Sequence, residues 1–440
     1  MRFRAFAGGV TLVCLVLLGG IRPAAQSPEP PPDPTAGFFN DDVIQEVRLT
    51  LNSKDWSALK ANFGSNTFYP CQLTWQGITL KNAGIRSRGN GSRSGTKPGL
   101  RVDIDHYAPG QRFLTVLKSF VLRNNTQDAS NMHERLAMKL LGLMGFAAPR
   151  EAFARLYVNN TFSGLYTIVE AIDKPFLTRT MGENDGYLYE YDYDAGDDPY
   201  HLEYRGSDPA SYSPKPFKPS THEKDPDATP LEAMIKIVNE TPDGDFQRKM
   251  ADYMDLNMFM RYIGVENFLG ETDGMLGDWA INNFYLYRLE HSTRSILFPW
   301  DRSQSFTGGP NFSIWHNVFD IPAQSRNRLM DRSVKFTNLL DVYLDTLLKA
   351  ADIASTPVDT VAPDAVVASA RSGAAAPKPP PPGWLETEIL REYQQIRSIA
   401  LSDAFKPWTN DEFEQGVEDL LTFARERSAF VKDEVHKFRR

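Results

Sequence analysis

The sequence predicts an α+β protein in which a mostly antiparallel sheet precedes a mainly helical region. Three observations carry the prediction. Short stretches between Val43 and Leu122 alternate apolar and polar residues, the period of a half-buried strand. Met132, Leu136, Leu140 and Leu143 recur at helical spacing. Beyond residue 230 the apolar residues fall mainly into helical stretches, interrupted by one hairpin.

The first residues precede the fold. Arg2 and Arg4, an apolar run from Ala5 to Ile21 and the small residues Ala24 and Ala25 have the layout of a secretory signal peptide over 1–25. The alternative is a retained anchor, against which Gly8, Gly9, Gly19 and Gly20 argue. No other stretch is long and apolar enough to span a bilayer, so cleavage leaves no stable membrane span and a secreted or extracytoplasmic protein. Residues 26–37 are proline-rich and read as a disordered leader.

Val43 to Leu51 (VIQEVRLTL) reads as the first strand and Asp55 to Ala61 as a short helix. Further strands are expected at Cys71 to Trp75, Ile78 to Ile85, Leu100 to Ile104 and within Phe113 to Leu122. Asn131 to Met144 is the clearest helix, capped by Ser130 or Asn131 and ended by Gly145. Phe153 to Val158, the turn Asn159-Asn160 and Phe162 to Glu170 form a hairpin. Residues 190–230 are rich in Asp, Tyr, Pro and Ser and read as a polar insertion or lid outside the core. Leu231 to Val238, Met254 to Phe268 and Leu329 to Ala350 are helical, with a second hairpin at Asn283 to Arg288 and Ile296 to Trp300. Residues 356–383 form an Ala/Pro-rich linker, and 384–440 a charged helical tail.

Composition narrows the function. The formal charge is −8, and loss of Arg2, Arg4 and Arg22 with the signal peptide takes it to about −11, which argues against a general nucleic-acid binder. Two cysteines, Cys14 and Cys71, cannot build a zinc ribbon or a disulfide framework. There is no HExxH, GxSxG or Walker A motif.

Two clusters could carry chemistry. In 84–101 (GIRSRGNGSRSGTKPGLR), Gly89 and Gly91 are surrounded by Arg86, Arg88, Arg93, Lys97 and Arg101. A Gly/Ser turn exposes backbone N–H groups and the cations add charge-assisted donors, so the segment is either a phosphate cradle or a solvated hairpin tip. In the second hairpin, a turn centred near Ser292 puts Asn283 opposite Asp301. Together they form a half-site for a hard cation such as Mg²⁺, with Asp273 in the preceding loop as proton acceptor. The plainer alternative is two strand ends and an Asx-turn at Asp273-Gly274.

Taken together, several segments resemble the CotH kinase family, the spore coat protein H-like atypical protein kinases. They are RSRGNGSR at 86–93, KPGLRVDID at 97–105, LRNN at 122–125, HERLAMKLLGLMGFAAPR at 133–150, LYVNNTFSGLYTIVEAIDKPFL at 156–177, DGMLGDWAINNFYLY at 273–287 and FPWD at 298–301. The resemblance implies a bilobed protein-kinase-like domain over 38–355, with a smaller lobe at 38–170 and a larger lobe at 171–355. It implies transfer of the ATP γ-phosphate to a Ser, Thr or Tyr hydroxyl of a protein substrate, with Mg²⁺ or in its place Mn²⁺. Lys97 and Arg88 would meet the phosphates, and Glu170 would belong to the nucleotide pocket. Glu134 is an alternative partner for Lys97. Asp273 resembles the catalytic acid, and Asn283 and Asp301 the metal ligands. Two departures stand out. Arg302-Ser303 follows Asp301 where many relatives carry a further acid, and Asp278 lies five residues before Asn283, the kinase catalytic-loop spacing, and so competes with Asp273. The competing function is a non-catalytic surface or structural binding protein on the same fold. A carbohydrate-active hydrolase using Asp273 and Asp278 leaves the basic turn without a purpose.

Overall fold

Alternating side chains close the first half of the chain on itself. In the computed structural model, which describes residues 33–192, 197–358 and 381–440, the elements are β1 (Gln45–Thr50), α1 (Ser53–Ala61), β2 (Tyr69–Trp75), β3 (Ile78–Ser87), β4 (Leu100–Asp103), β5 (Ser119–Arg123), α2 (His133–Leu143), β6 (Glu151–Val158) and β7 (Thr161–Glu170). There follow α3 (Lys174–Met181), β8 (Tyr187–Tyr191), β9 (Phe217–Pro219), α4 (Thr229–Glu240), α5 (Asp243–Met250), α6 (Leu256–Leu269), β10 (Phe284–Arg288), β11 (Ser295–Pro299), α7 (Arg328–Ser333), α8 (Thr337–Ser355), α9 (Trp384–Ser402) and α10 (Asn410–Phe438). The signal peptide, most of the leader and most of the Ala/Pro-rich linker lie outside the described residues.

Strands β1–β7 form a closed barrel in the order β1-β2-β3-β4-β5-β7-β6. All pairs are antiparallel except β1 with β6, which closes it. Closure removes both sheet edges. Val47, Leu49, Leu73, Ile85, Val102 and Phe120 fill the interior. Phe38, from the segment entering β1, sits edge-on to Trp75, Phe113 and Phe120 with ring centroids 5.4, 5.1 and 5.0 Å away. Burying a side chain of that size contributes about 1.5–3 kcal/mol.

The second half packs α4–α8 against a four-stranded antiparallel sheet ordered β11-β10-β8-β9. Residues Pro34 to Arg440 form one compact unit.

The strand expected within Phe113 to Leu122 is β5; Phe113 and Leu117 pair across a tight turn in which Leu114 and Thr115 take positive φ, so it begins at Ser119. Three expectations change. Helix α2 starts at His133, and neither Ser130 nor Asn131 caps it; the Asp128 carboxylate accepts from His133 N at 2.8 Å instead. The 190–230 insertion is not outside the core. It supplies β9, and Tyr191, Tyr200, Leu202, Tyr212 and Phe217 are buried because aromatic rings carry apolar area behind their hydroxyls. The C-terminal segment is not a tail: α9 and α10 bury Leu385, Ile389, Ile396, Phe413, Leu420 and Val431 against the helical core.

Candidate functional site

A cleft of 790 Å³ opens between the outer face of β3–β5, the loop after α6 and the open end of the β10–β11 hairpin. It is lined by Arg88, the turn 89–93, Asp273, Asn283 and Asp301, so four of the six predicted site residues meet in one place.

The loop holding Asp273 is built from inside. Gly270 takes a left-handed conformation (φ 62°) and ends α6. Glu266, one turn earlier, is buried and accepts from Met275 N at 3.1 Å. A side chain at residue 274 would run into it, since a Cβ there lies 2.6 Å from Glu266 Oε1; this is why glycine follows Asp273. Arg302 is fully buried and pairs with Glu266 at 2.6 Å while also meeting the Tyr262 hydroxyl. Glu271 accepts from Asp273 N at 2.8 Å and from Ser305 Oγ at 2.7 Å. Burial pushes Glu271 up to about 7.

The Asp273 carboxylate faces the cleft between two amides. Asn282 Nδ2 donates to Oδ1 at 2.9 Å, and Asn283 Nδ2 donates to Oδ2 at 2.8 Å and to the main-chain carbonyl at 3.0 Å. Burial raises the Asp273 pKa, the amides oppose that, and nearby Asp301 adds to it. Asp301 behaves in the opposite way. Burial works against its charge, yet Arg123 and Arg88 hold it below the ordinary carboxylate value. Two neighbouring carboxyls whose environments push them apart divide naturally into a proton acceptor and a permanent anion.

The predicted pairing of Asn283 with Asp301 is corrected by one residue. Phe284 pairs with Pro299, and Trp300 N donates to Asn283 O at 3.1 Å, so Asn283 faces Trp300. The turn is centred between His291 and Ser292 rather than on Ser292. Both residues still reach the cleft because each leaves its strand in a left-handed conformation, φ 55° at Asn283 and 46° at Asp301, which ends the strand alternation there.

Arg123, at the end of β5, is the buried cation of the site. Its Nη1 lies 2.6 Å from Asp301 Oδ2, and its Nε meets Glu134 of α2. Ser303 Oγ donates to Asp301 Oδ1 at 2.9 Å. Burial pushes Glu134 up to about 7 against the pull of Arg123. Sequence reasoning quoted the segments holding Arg123 and Arg302 without giving either a role. The available signal was that each cation adjoins an otherwise apolar strand end.

Lys97 and Glu170 are not brought to the cleft. Lys97 Nζ pairs with Asp403 Oδ2 at 2.8 Å, both side chains 1% exposed, and sits over the Tyr166 ring. Asp403 also accepts from Leu165 N at 2.9 Å, and this approach requires Gly164, where a Cβ would lie 2.6 Å from the carboxylate. Lys97 therefore ties the barrel to the end of α9. Glu134 pairs with Arg123, not with Lys97. Glu170 lies between two arginine forks, 2.7 Å from Arg150 Nη2 and 2.5 Å from Arg179 Nη2. Asp278 is half-exposed, pairs with His316 at 2.8 Å and does not line the cleft, whereas Asp273 does. Cys71 is buried, and burial pushes its thiol up to about 12, which leaves it unreactive.

Two expected results follow from these placements. Lys97→Met should cost about 3–5 kcal/mol in urea unfolding by leaving Asp403 buried without its cation. Asp173, on the cleft wall, is pushed up to about 7 by burial. As pH rises from the unfolded value of 3.8 to about 7, the folded state keeps a proton that the unfolded state has lost, so this group lowers stability across that window. Asp173→Asn keeps the cap on Phe176 N. It should match the parent in thermal unfolding near pH 4 and exceed it by of order 1 kcal/mol at pH 8.

Among the described residues no group of three or more His, Cys, Asp and Glu is placed to hold a metal. The donors that could serve are the amide oxygen of Asn283, whose N–H₂ is turned to Asp273, and the remaining lone pairs of Asp301. Oxygen donors of this kind fit a hard cation that keeps most of its water and phosphate ligands. No described helix is long and apolar enough to cross a membrane.

The model of the family described as CotH kinase protein matches residues 85–350, which include every cleft residue discussed above. The chain is 21% identical over 398 residues to inner spore coat protein H of Bacillus subtilis (strain 168), an alignment covering 90% of this chain and 98% of that protein. A family match over more than half the chain, together with the ordered motifs that converge on this cleft, establishes that the protein belongs to the CotH kinase family.

Proposed function

We propose that the protein is an exported, atypical protein kinase that transfers the γ-phosphate of ATP to a protein hydroxyl. The observation that carries the reading is the meeting of Asp273, Asn283 and Asp301 in one cleft opposite the Arg88–Arg93 turn. In a kinase-like reading the barrel with α2 corresponds to the smaller lobe and the helices with the second sheet to the larger one.

Asn283 and Asp301 would hold Mg²⁺, or Mn²⁺ in its place, which neutralises phosphate charge when bound. Arg88 and the N–H groups of the glycine turn would orient the phosphates. Gly89 takes φ 112°, a conformation side chains rarely adopt. Asn124 braces the turn by donating to Ser92 O and Lys97 O at 2.8 Å each. Arg123 and Glu134 take the place expected for Lys97 and its partner: a cation on a barrel strand, held by an acid on the neighbouring helix. Asp273, raised in pKa and oriented by two amides, would accept the proton of the attacking Ser, Thr or Tyr hydroxyl. Phosphoryl transfer asks mainly for such positioning.

One observation favours a second reading, a non-catalytic binding protein. Both Asp301 oxygens already accept hydrogen bonds, from Arg123 and Ser303, and no acid occupies position 303. Incubation with γ-labelled ATP and Mg²⁺ separates the two. Protein-bound label, absent in a parallel α-label control, supports the kinase. Nucleotide binding without transfer to any protein of the source cell envelope supports the binding protein. Export rests on the 1–25 segment, and N-terminal sequencing of the mature protein tests it.

A further inference from the structure

The cleft wall carries several arginines beside its carboxyls. Arg86, Arg88, Arg93 and Arg101 all line it, and none of them forms an ion pair with a described residue. Arg93 is occupied structurally, donating to the carbonyls of Gly89, Phe63 and Ser65 and to Asn66 Oδ1. Arg86 and Arg101 are different. They are direct cross-strand partners in the β3–β4 register, so their side chains leave the same face side by side. Like charges directly opposite are destabilising in a sheet. Arg86 donates to Asn66 Oδ1 at 2.9 Å and Ser87 O at 3.0 Å, both neutral acceptors. Among the described residues the side-chain hydrogen-bond partner of Arg101 is Ser119 Oγ at 3.4 Å.

Among the described residues no carboxylate stands at ion-pair distance from either guanidinium, although Asp103 and Asp173 act on Arg101, and Glu190 on Arg86, from further away. Burial pushes Asp103 up, and Asp173 up to about 7. Glu190, across the cleft, is engaged by the Tyr285 hydroxyl. Burial and the other arginines depress Arg86 to about 10, so it still carries its proton. Two planar guanidinium forks on one rung offer parallel N–H pairs that match a tetrahedral dianion. Arg88 lies two residues along β3, roughly 7 Å away at strand spacing.

The geometry points to a second phosphate subsite on the Arg86–Arg101 rung, one rung outside Arg88 and separate from the Asp273–Asn283–Asp301 centre, that takes a phosphate monoester dianion. Within the kinase reading, on which this part rests, the phosphate comes from an already phosphorylated residue of the acceptor, since the terminal phosphate of the nucleotide belongs at the Asp273–Asn283–Asp301 centre.

Calorimetric titration with inorganic phosphate and with phosphoserine tests it, using the free protein and the protein saturated with Mg²⁺ and a non-hydrolysable ATP analogue. Arg86→Gln and Arg101→Gln should each weaken phosphate binding by about tenfold, the loss of one charge-assisted fork. Each should leave the melting temperature equal or higher, because a like-charge contact is removed. Phosphoserine binding to the nucleotide-loaded protein identifies the acceptor as the source. Exclusion by nucleotide, with tenfold weaker nucleotide binding in both variants, would make the rung part of the nucleotide site and overturn a separate subsite. Variants that bind phosphate like the parent, or a parent that does not bind phosphate at millimolar concentration, would overturn the subsite. A protein that binds phosphate through these arginines but never binds nucleotide would keep the subsite and discard the kinase reading.

Discussion

Asp273→Asn is expected to bind Mg²⁺–nucleotide and to transfer phosphate roughly 10²–10⁴-fold more slowly than the parent, the usual contribution of a general base. Asp273 is a cleft carboxyl whose environment raises its pKa, through burial and through Asp301, and of the raised cleft carboxyls it is the one whose two oxygens are aimed by Asn282 and Asn283 beside Asp301. An amide at 273 turns one of those contacts into donor against donor, so the variant gives up some order in Asn283 as well as the base. The parent's pH profile supplies an independent reading. Transfer should rise with pH as Asp273 loses its proton, with a midpoint above the ordinary carboxylate value. An Asp273→Asn protein with parental turnover would move the base to another residue.

Arg302→Leu is expected to be the most destabilising single change near the site, at about 3–5 kcal/mol in urea unfolding. Arg302 is fully buried and is the cation for Glu266, which is buried too and holds Met275 N in the Asp273 loop. Removing one partner leaves a buried charge uncompensated; replacing both does not. The double variant Arg302→Leu/Glu266→Leu should therefore recover much of the stability. It should not recover nucleotide-dependent function, because the loop backbone has lost its internal acceptor. A single variant losing less than about 1 kcal/mol would show that the pair is not what supports the loop.

The same pair shows what a sequence can and cannot disclose. Arg302 stands between Asp301 and Ser303, the position where many relatives carry a further acid, and in one dimension the stretch reads only as a missing ligand. Its role depends on Glu266, delivered by the end of α6. Lys97 is the converse case. A lysine beside a glycine-rich turn reads as a phosphate ligand, but its partner Asp403 arrives from the C-terminal helices, and no local pattern connects the two. The alternating strands and the α2 stripe were legible because periodicity is local. Barrel closure through the parallel β1–β6 pair was not, because pairing of distant strands leaves no local signature. The tyrosines of 190–230 read as polar by composition and fold as core by area. Asp273, Asn283 and Asp301 were found through motif order. The one-residue difference in the hairpin register did not displace them, because left-handed residues at both strand ends absorb it.

The central claim is a metal-dependent nucleotide site built on Asn283 and Asp301, and thermal unfolding with ATP tests it most directly, with and without Mg²⁺, in the parent and in Asp301→Ala. A ligand that binds only the folded state raises its stability by mass action. The account predicts a rise in melting temperature with ATP that grows when Mg²⁺ is added, and loss of the Mg²⁺-dependent part in Asp301→Ala. An unchanged melting temperature at millimolar Mg²⁺–ATP, or the same Mg²⁺-dependent rise in parent and variant, would contradict it.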